Sequence, residues 1–214
     1  MVYSSNKHLV DGRKHYFSVD VATRPARLGK VGLAMGSIEI DLLVSSMVFS
    51  RSRVDKGTLL LIDTMSVAPG DLVLDLGCGY GPLAVCASLR GAVVAGVDIN
   101  PRAVWLTREN LRRHARGSWM VVWGDLYHPF APGTFESIIC NPPIRAGRGT
   151  VAEVICQGRK YLRKGGSLQI VARTRMGAKT LSSLMGDSFG NVEEAGKRSG
   201  YRVLVSRRRG GRVD

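Results

Sequence analysis

From Pro69 onwards, the sequence alternates short apolar segments with segments of helical periodicity. Each apolar segment has the length of a buried strand, and the segments between them are typical of amphipathic helices. This alternation predicts a parallel β-sheet that is covered by helices on both faces. Ligands of such sheets bind beyond the carboxyl ends of the strands, near the point where the strand order reverses. The pattern therefore directs the search for a site to the residues that follow each strand.

The apolar segments predict seven strands, and the periodic segments between them predict four helices. The predicted strands cover 72–74, 92–97, 120–123, 137–140, 167–172, 191–195 and 202–206. The predicted helices cover 82–89, 101–114, 151–162 and 176–185. Asn100 is the expected N-cap of the second helix, because Pro101 follows it and suits a first helical turn.

The first 65 residues have a different pattern from the rest. Segments 15–17, 38–42 and 44–50 favour short strands, and segment 59–65 favours an apolar helix. We therefore divide the chain into residues 1–65, a β-rich extension with a lid helix packed on the core, and residues 66–214, the core domain with its basic carboxyl-terminal end.

The composition is that of a globular chain. Hydrophobic residues make up 44% and charged residues 22% of the 214 residues, which excludes disorder as the main state. No apolar run approaches the roughly 20 residues that span a bilayer, and the amino terminus has no apolar signal region. The four cysteines lack metal-ligand spacing, so we expect free thiols, no metal, no membrane contact and a cytoplasmic location.

Positive charge is concentrated in the last third of the chain. The formal net charge is +14, with 31 Lys and Arg against 17 Asp and Glu. Residues 1–143 hold fifteen basic and twelve acidic side chains, whereas residues 144–214 hold sixteen and five. A field of this sign attracts polyanions, so we expect RNA as a partner. Arg145, Arg148 and segment 197–212 are the expected positive face.

A glycine-rich turn, Asp75-Leu76-Gly77-Cys78-Gly79-Tyr80-Gly81, follows the first core strand. Glycines allow the chain to turn sharply and let a ligand approach the main chain. A dinucleotide-binding turn has the spacing GxGxxG, but Pro82 stands here in the place of its third glycine. By itself, the turn is compatible with a purely structural role.

Two aspartates follow the next two predicted strands. Asp98 ends the second strand, where a carboxylate can accept hydrogen bonds from both hydroxyls of a ribose. Asp125 follows the third strand, where its side chain can reach the amino group of a base. Each alone is more often a helix cap or a solvated loop residue. Together with Asp75, they form a series at three successive strand ends, which favours a binding site.

Asn141-Pro142-Pro143-Ile144 follows the fourth core strand. Two consecutive prolines hold the backbone rigid, because they can neither extend a central strand nor enter a helix interior. The side-chain oxygen of Asn141 and the carbonyl oxygen of Pro142 can then accept hydrogen bonds from one exocyclic amine. An amine held in this way directs its lone pair outward and can attack an electrophilic methyl group. The alternative is a rigid surface turn.

These motifs together resemble the class I S-adenosylmethionine-dependent methyltransferases. Residues 9–206 resemble the methyltransferase small domain family, which includes small-subunit (16S) ribosomal RNA guanine-N2 methyltransferases. The resemblance implies an α/β fold of the class I methyltransferase (Rossmann-like) type. Its doubly wound, seven-stranded and mostly parallel sheet would carry a small N-terminal β-hairpin and helix extension.

The resemblance also implies which residues bind the cofactor S-adenosylmethionine. They stand at the strand ends and are Asp75, Gly77, Cys78, Gly79, Gly81, Asp98, Ile99, Asp125, Leu126 and Asn141. The glycine-rich turn would line the methionine part, Asp98 would bind the ribose, and Ile99 would face the adenine. Asp125 would address the adenine amino group. Thr58, in the segment before the first core strand, is a further candidate contact.

The catalytic residues implied by the resemblance are Asn141, Pro142 and Pro143, and the substrate-binding residues are Ile144, Arg145 and Arg148. Ile144 replaces the aromatic residue with which many related enzymes stack on a flipped base. The family that this sequence resembles accepts isoleucine at this position. Ile144 therefore favours guanine N2 over adenine N6 as the acceptor.

The expected reaction is direct methyl transfer to an exocyclic amino group, with guanine N2 of small-subunit ribosomal RNA as the first choice. Alternatives are a protein glutamine-N5 methyltransferase, a DNA adenine methyltransferase and a non-catalytic RNA-binding module of the same fold. A NAD-dependent reductase is disfavoured by the glycine spacing. The sequence leaves four alternatives open. They are which nucleotide is modified, whether the substrate is naked RNA or an assembled particle, whether the protein is a monomer or a homodimer, and what residues 1–35 do.

Overall fold

The computed structural model describes residues 27–45, 53–142 and 147–210, without the side chains of residues 147, 148 and 176. Its first element is an antiparallel hairpin of β1 (Gly29–Met35) and β2 (Ile38–Val44). The sequence predicted part of β2 but not β1. The predicted strand 15–17 and most of the predicted strand 44–50 lie outside the described residues.

The remaining strands form one seven-stranded sheet. In chain order they are β3 (Leu72–Leu76), β4 (Val93–Asp98), β5 (Trp119–Trp123), β6 (Phe135–Cys140), β7 (Leu162–Arg173), β8 (Glu193–Arg198) and β9 (Tyr201–Arg207). Their order in the sheet is β5-β4-β3-β6-β7-β9-β8. Strands β3 to β7 pair in parallel, and β9 pairs antiparallel with both β7 and β8. The predicted doubly wound, mostly parallel sheet is confirmed.

Five helices accompany the strands in the described ranges: α1 (Lys56–Thr64), α2 (Pro82–Leu89), α3 (Pro101–His114), α4 (Gly147–Tyr161) and α5 (Ala178–Phe189). A 3₁₀ turn, Thr174–Met176, precedes α5. Asn100 is the N-cap of α3, as predicted, and its side chain accepts a hydrogen bond from the Arg102 amide over 3.0 Å. None of these helices combines the length and the apolar character that a membrane crossing requires.

Helix α1 begins earlier than the predicted helix 59–65. Asp55 caps it, because its carboxylate accepts hydrogen bonds from the amides of Gly57 and Thr58. The predicted helix 151–162 ends too late, since Leu162 already pairs with Phe135 of β6 and opens strand β7. The start of α1 is thus set by its cap, whereas the end of α4 is set by pairing with a neighbouring strand rather than by local periodicity.

The two faces of the sheet carry separate apolar clusters. Alternate strand residues point to opposite faces, so that Val73 packs with helices α1 to α3 while Leu74 packs with α4 and α5. The hairpin joins the first cluster through Leu42 and Leu43. Both parts of the chain thus share one core in the described residues, and the division at residue 65 stays a prediction.

Strand β9 separates the two ends of the predicted basic face. Because β9 runs against β7, Tyr201 pairs with Arg173 at the carboxyl edge of the sheet, whereas Arg207 pairs with Ser167 near the opposite edge. Six residues of strand span about 20 Å. The described part of segment 197–212 is therefore spread between two edges of the sheet, and its action as one positive face stays a prediction. Lys197 and Arg198 lie at the carboxyl edge, whereas Arg207–Arg209 extend away from it.

Candidate active site

The glycine-rich turn after β3 is tied to the neighbouring strand β4. Gly77, Gly79 and Gly81 all have positive φ angles, of 74°, 61° and 85°. The amides of Gly77 and Cys78 donate to the carbonyl oxygen of Val97 over 2.9 and 3.0 Å. The turn is thus fixed at the carboxyl edge of the sheet, where Gly77 is exposed and Gly79 is half-buried.

Helix α3 packs against the same glycine-rich turn. The hydroxyl of Thr107 donates to the carbonyl oxygen of Gly79 over 2.9 Å. A Cβ atom at Gly81 would lie 2.9 Å from the Thr107 methyl group, closer than packing allows. Gly81 is therefore required both by its left-handed backbone and by the close approach of α3.

Asp75 lies beneath the turn and is almost completely buried. Its carboxylate accepts a hydrogen bond from the Ala84 amide in the first turn of α2 over 3.0 Å. Burial raises the pKa of Asp75 from 3.8 to about 7, the Ala84 hydrogen bond lowers it, and the charge of Asp98 raises it further. The carboxyl group joins β3 to α2, and its contact with a cofactor stays a prediction.

Asp98 stands at the end of β4 and faces the glycine-rich turn. Its Oδ2 atom accepts a hydrogen bond from the Gly79 amide over 2.9 Å, and Oδ1 accepts one from the Asn100 amide over 2.8 Å. Burial raises the pKa of Asp98, and these two hydrogen bonds act against that shift. Each carboxylate oxygen has a second lone pair, so the group retains capacity to accept the hydroxyls of a ribose.

The thiols next to the turn are buried in the protein interior. Cys78 is 4% exposed, and burial raises the pKa of its thiol well above the usual value. Burial likewise raises the pKa of Cys140, at the end of β6. Only thiolates are effective nucleophiles, so neither residue is suited to covalent catalysis. Because the Cys78 side chain is buried, the predicted cofactor contact of this residue would involve its backbone.

An exposed apolar surface lies beside Asp98. Ile99 and Trp123 are each 69% exposed, and the Trp123 indole nitrogen donates to the Ile99 carbonyl oxygen over 2.9 Å. An apolar surface can pack against the face of a base, and the contact of Ile99 with adenine stays a prediction. Trp123 was missed by sequence reasoning, although its place at the end of a strand could have drawn attention to it.

Asp125 and Leu126 follow β5 at the same edge. Asp125 is exposed, whereas Leu126 is half-buried and has a φ angle of 44°, which is uncommon for a residue with a side chain. The next residue, Tyr127, is fully buried and donates its hydroxyl hydrogen to the Val154 carbonyl oxygen over 2.8 Å. This anchor holds the strained backbone next to the predicted adenine position.

Asn141 follows β6 and contacts the helix that precedes the core. Its side-chain nitrogen lies 2.8 Å from the Thr58 hydroxyl and 3.4 Å from a carboxylate oxygen of Asp55. Pro142 is half-buried beside it. Pro143, Ile144 and Arg145 lie outside the described residues, as does the side chain of Arg148.

The described site residues share one edge of the sheet. They are Asp75, Gly77, Cys78, Gly79, Gly81, Asp98, Ile99, Asp125, Leu126, Asn141 and Pro142. Strands β3 and β6 are neighbours, and the strand order reverses between them. Among the residues that the structure describes, no three side chains are grouped as metal ligands. The shared edge is compatible with one binding site for an organic ligand next to the amide of Asn141, and that site stays a prediction.

This strand order, with β9 antiparallel beside β7, and the glycine-rich turn at the switch point define a class I methyltransferase. The profile of the "Methyltransferase small domain" family matches residues 39–205. The chain therefore belongs to that family of S-adenosylmethionine-dependent methyltransferases, as the sequence motifs predicted.

Several similar proteins support this assignment. The "Uncharacterized protein YbxB" of Bacillus subtilis is 33% identical over 169 residues, which are 76% of this chain and 83% of that protein. A "Ribosomal RNA small subunit methyltransferase C" of Alcanivorax borkumensis is 30% identical over 163 residues, or 73% of this chain and 49% of that protein. This chain spans about half the length of the ribosomal RNA methyltransferases that it matches.

Among solved structures, a T. thermophilus 16S rRNA N2 methyltransferase in complex with AdoMet and guanosine has a TM-score of 0.77 and 24% identity. The match covers 86% of this chain and 52% of that one. It shows that the two chains share the fold.

Proposed function

We propose that this protein transfers a methyl group from S-adenosylmethionine to guanine N2 of small-subunit ribosomal RNA. The observation that carries the proposal is the register of β3 and β6. Asp75 pairs with Ile139, so Gly77 and Asn141, two residues further on, leave the sheet at the same level. Neighbouring strands are about 4.8 Å apart, which brings the glycine-rich turn and the amide within reach of one small molecule and its acceptor.

In the proposed reaction, Asn141 and Pro142 orient the acceptor amine. The Asn141 side-chain oxygen and the Pro142 carbonyl oxygen accept hydrogen bonds from its two hydrogens, and the nitrogen lone pair is directed towards the turn. S-adenosylmethionine supplies an electrophilic methyl group on a sulfonium. The new N–C bond forms as the S–C bond breaks, its electrons stay on sulfur, and the amine releases one proton to water. Positioning and polarisation supply the acceleration.

RNA as the substrate is supported by charge and by the named relatives. The net charge of +14 favours a polyanionic partner. Relatives that match 73% and 84% of this chain carry the name of a ribosomal RNA small-subunit methyltransferase. The fold neighbour contains guanosine, the nucleoside of the proposed acceptor. A base inside a helix is out of reach of the cleft, so the target guanine is unpaired or flipped. A cytoplasmic location belongs to the same proposal.

The test uses methyl-labelled S-adenosylmethionine with three acceptors: unmodified small-subunit RNA, assembled small-subunit particles and protein extract. Labelled RNA is digested to nucleosides and separated. We expect the label in N2-methylguanosine from the RNA or from the particles, and none with the N141A variant. Label confined to protein would favour glutamine-N5 methylation, and no label with any acceptor, despite cofactor binding, would contradict the proposal.

A further inference from the structure

We propose that Asp55 and Thr58 are positioning residues that hold the Asn141 amide in the orientation needed for methyl transfer. This inference rests on the proposed function and goes beyond it, because both residues come from the segment before the Rossmann-like core. They act on the acceptor amine through Asn141 rather than by touching it.

The chemistry of the two partners selects one orientation of the amide. An ionised carboxylate only accepts hydrogen bonds, so the Asn141 atom that faces Asp55 Oδ2 at 3.4 Å is the NH₂ nitrogen. The same nitrogen donates to the Thr58 hydroxyl oxygen over 2.8 Å. The amide oxygen is then directed away from both residues and can accept a hydrogen bond from the substrate amine.

Asp55 is itself held in place from several sides. Its Oδ2 atom accepts hydrogen bonds from the Gly57 and Thr58 amides over 3.0 and 3.4 Å, which fixes the carboxylate at the start of α1. The Tyr201 hydroxyl donates to its Oδ1 atom over 3.2 Å. The carboxylate therefore cannot rotate freely, and its position is set by both α1 and β9.

Tyr201 is fixed in turn by the end of β7. The Arg173 Nε atom donates to the Tyr201 hydroxyl oxygen over 2.9 Å, and the guanidinium carbon lies 5.2 Å from the ring centroid. A Cβ atom at Gly57 would lie 2.8 Å from two atoms of that ring, so the ring packs directly against the α1 turn. The network thus connects α1, β6, β7 and β9 at the catalytic edge.

Without this network, the amide of Asn141 can rotate by half a turn. A rotated amide presents its NH₂ group to the substrate NH₂ group, and neither then accepts a hydrogen bond from the other. A network that holds the amide in a single orientation before the reaction prevents the loss of this hydrogen bond between Asn141 and the substrate amine. Thr58 was predicted as a cofactor contact, and the structure gives its hydroxyl a partner in Asn141.

The test compares Thr58→Val, which keeps the shape but removes the hydroxyl, with Thr58→Ser, which restores it. The matched control is Thr64→Val on the same helix, where the hydroxyl donates to the Leu60 carbonyl oxygen over 2.8 Å. We expect T58V to lower kcat about 10- to 100-fold, with the RNA KM and the cofactor Kd within about threefold of wild type. T58S is expected to recover most of kcat, and T64V to match wild type.

A second measurement reads the amide orientation without turnover. The protein is labelled with ¹⁵N at its asparagines, and the NMR signals of the Asn141 side-chain NH₂ group are assigned by their loss in N141A. We expect slowed hydrogen exchange of these protons in wild type and in T58S, and fast exchange in T58V. Unchanged kcat and unchanged exchange in T58V would overturn the inference, as would a loss of kcat that T58S does not recover.

The two proposals fail in different ways. A wild-type protein that methylates none of the acceptors contradicts the proposed function, and the exchange measurement then decides whether the network holds Asn141. An active wild-type protein whose T58V variant is equally active leaves the proposed function intact and removes the positioning role.

Discussion

Asp75 has a carboxyl group that is easier to protonate in the folded chain than in the unfolded chain. Its pKa is raised from 3.8 to about 7 because the group is buried, and its hydrogen bond from the Ala84 amide compensates only in part. A raised carboxyl pKa contributes stability that is complete below pH 3.8 and is lost as the pH rises through about 7.

Asp75→Asn removes this titration while keeping an acceptor for the Ala84 amide. Between pH 5 and pH 8, we expect the wild type to lose about 2.5 kcal/mol of unfolding free energy relative to the variant, at about 1.4 kcal/mol per pKa unit. Urea unfolding of both proteins at several pH values measures this shift. Parallel pH profiles for the two proteins would show that Asp75 titrates normally.

Asn141 separates catalysis from cofactor binding in the proposed mechanism. Asn141→Ala removes the amide oxygen that accepts a hydrogen bond from the substrate amine, so we expect kcat to fall by at least about 100-fold. Calorimetry should give a cofactor Kd close to that of wild type, because the turn after β3 is held by Val97, Asp98 and Thr107. A cofactor affinity that falls in parallel with turnover would contradict this division of roles.

At the scale of elements, Asn110 joins the hairpin to the core. Its side chain accepts a hydrogen bond from the Leu43 amide over 2.8 Å and donates to the carbonyl oxygens of Leu43 and Tyr80 over 2.9 and 2.7 Å. The residue is fully buried in α3. It satisfies backbone groups of β2 and of the glycine-rich turn at once, so one side chain couples the extension to the candidate site.

Asn110→Ala leaves three backbone groups without this partner. We expect a loss of about 3 kcal/mol in unfolding free energy, since each buried polar group left unpaired costs about 1–3 kcal/mol and part of the loss is relieved by water. Arg113→Ala, at an exposed position of the same helix, is the control and should stay within about 0.5 kcal/mol of wild type. Urea unfolding measures both, and equal effects would remove the special role of Asn110.

The helices and strands also show where local sequence is enough to predict the bounds of an element. Helices α2 and α3 match the predicted ranges 82–89 and 101–114, because Pro82 and Pro101 open them and a proline at a helix start is a local signal. Strand β1 was missed, because its sequence alternates weakly and it is specified by pairing with β2. The predicted strand 191–195 is shifted to β8, Glu193–Arg198, whose register is set by β9.

At the scale of the whole molecule, the direction of β9 divides the basic residues between two edges of the sheet. Arg175 and Lys179 follow β7 at the catalytic edge and are exposed. Lys164 and Arg209 are exposed near the opposite edge. Because Asn141 lies at the same edge as Arg175 and Lys179, we expect the phosphates of the proposed RNA substrate to pass this first pair.

Two double variants of equal charge change test this arrangement. We expect R175Q/K179Q to raise the KM for RNA about tenfold and to reduce the slope of log affinity against log salt by about 1.4, or 0.7 for each contact to single-stranded RNA. K164Q/R209Q should stay within about twofold of wild type in both quantities. Equal effects of the two variants would mean that RNA is attracted by net charge alone.

The sequence by itself determined the fold class, the order of core elements and the strand ends that carry the candidate site. It could do so because periodicity is local and because parallel strands bring their carboxyl ends to one edge. Only the tertiary structure decided the partners of Asn141. Asp55 lies 86 residues away from it, Thr58 83 residues away, and Tyr201 lies 146 residues beyond Asp55. The separation of the basic residues likewise arises from the reversal of β9, because strand direction depends on pairing across the sheet and has no signature within the strand itself.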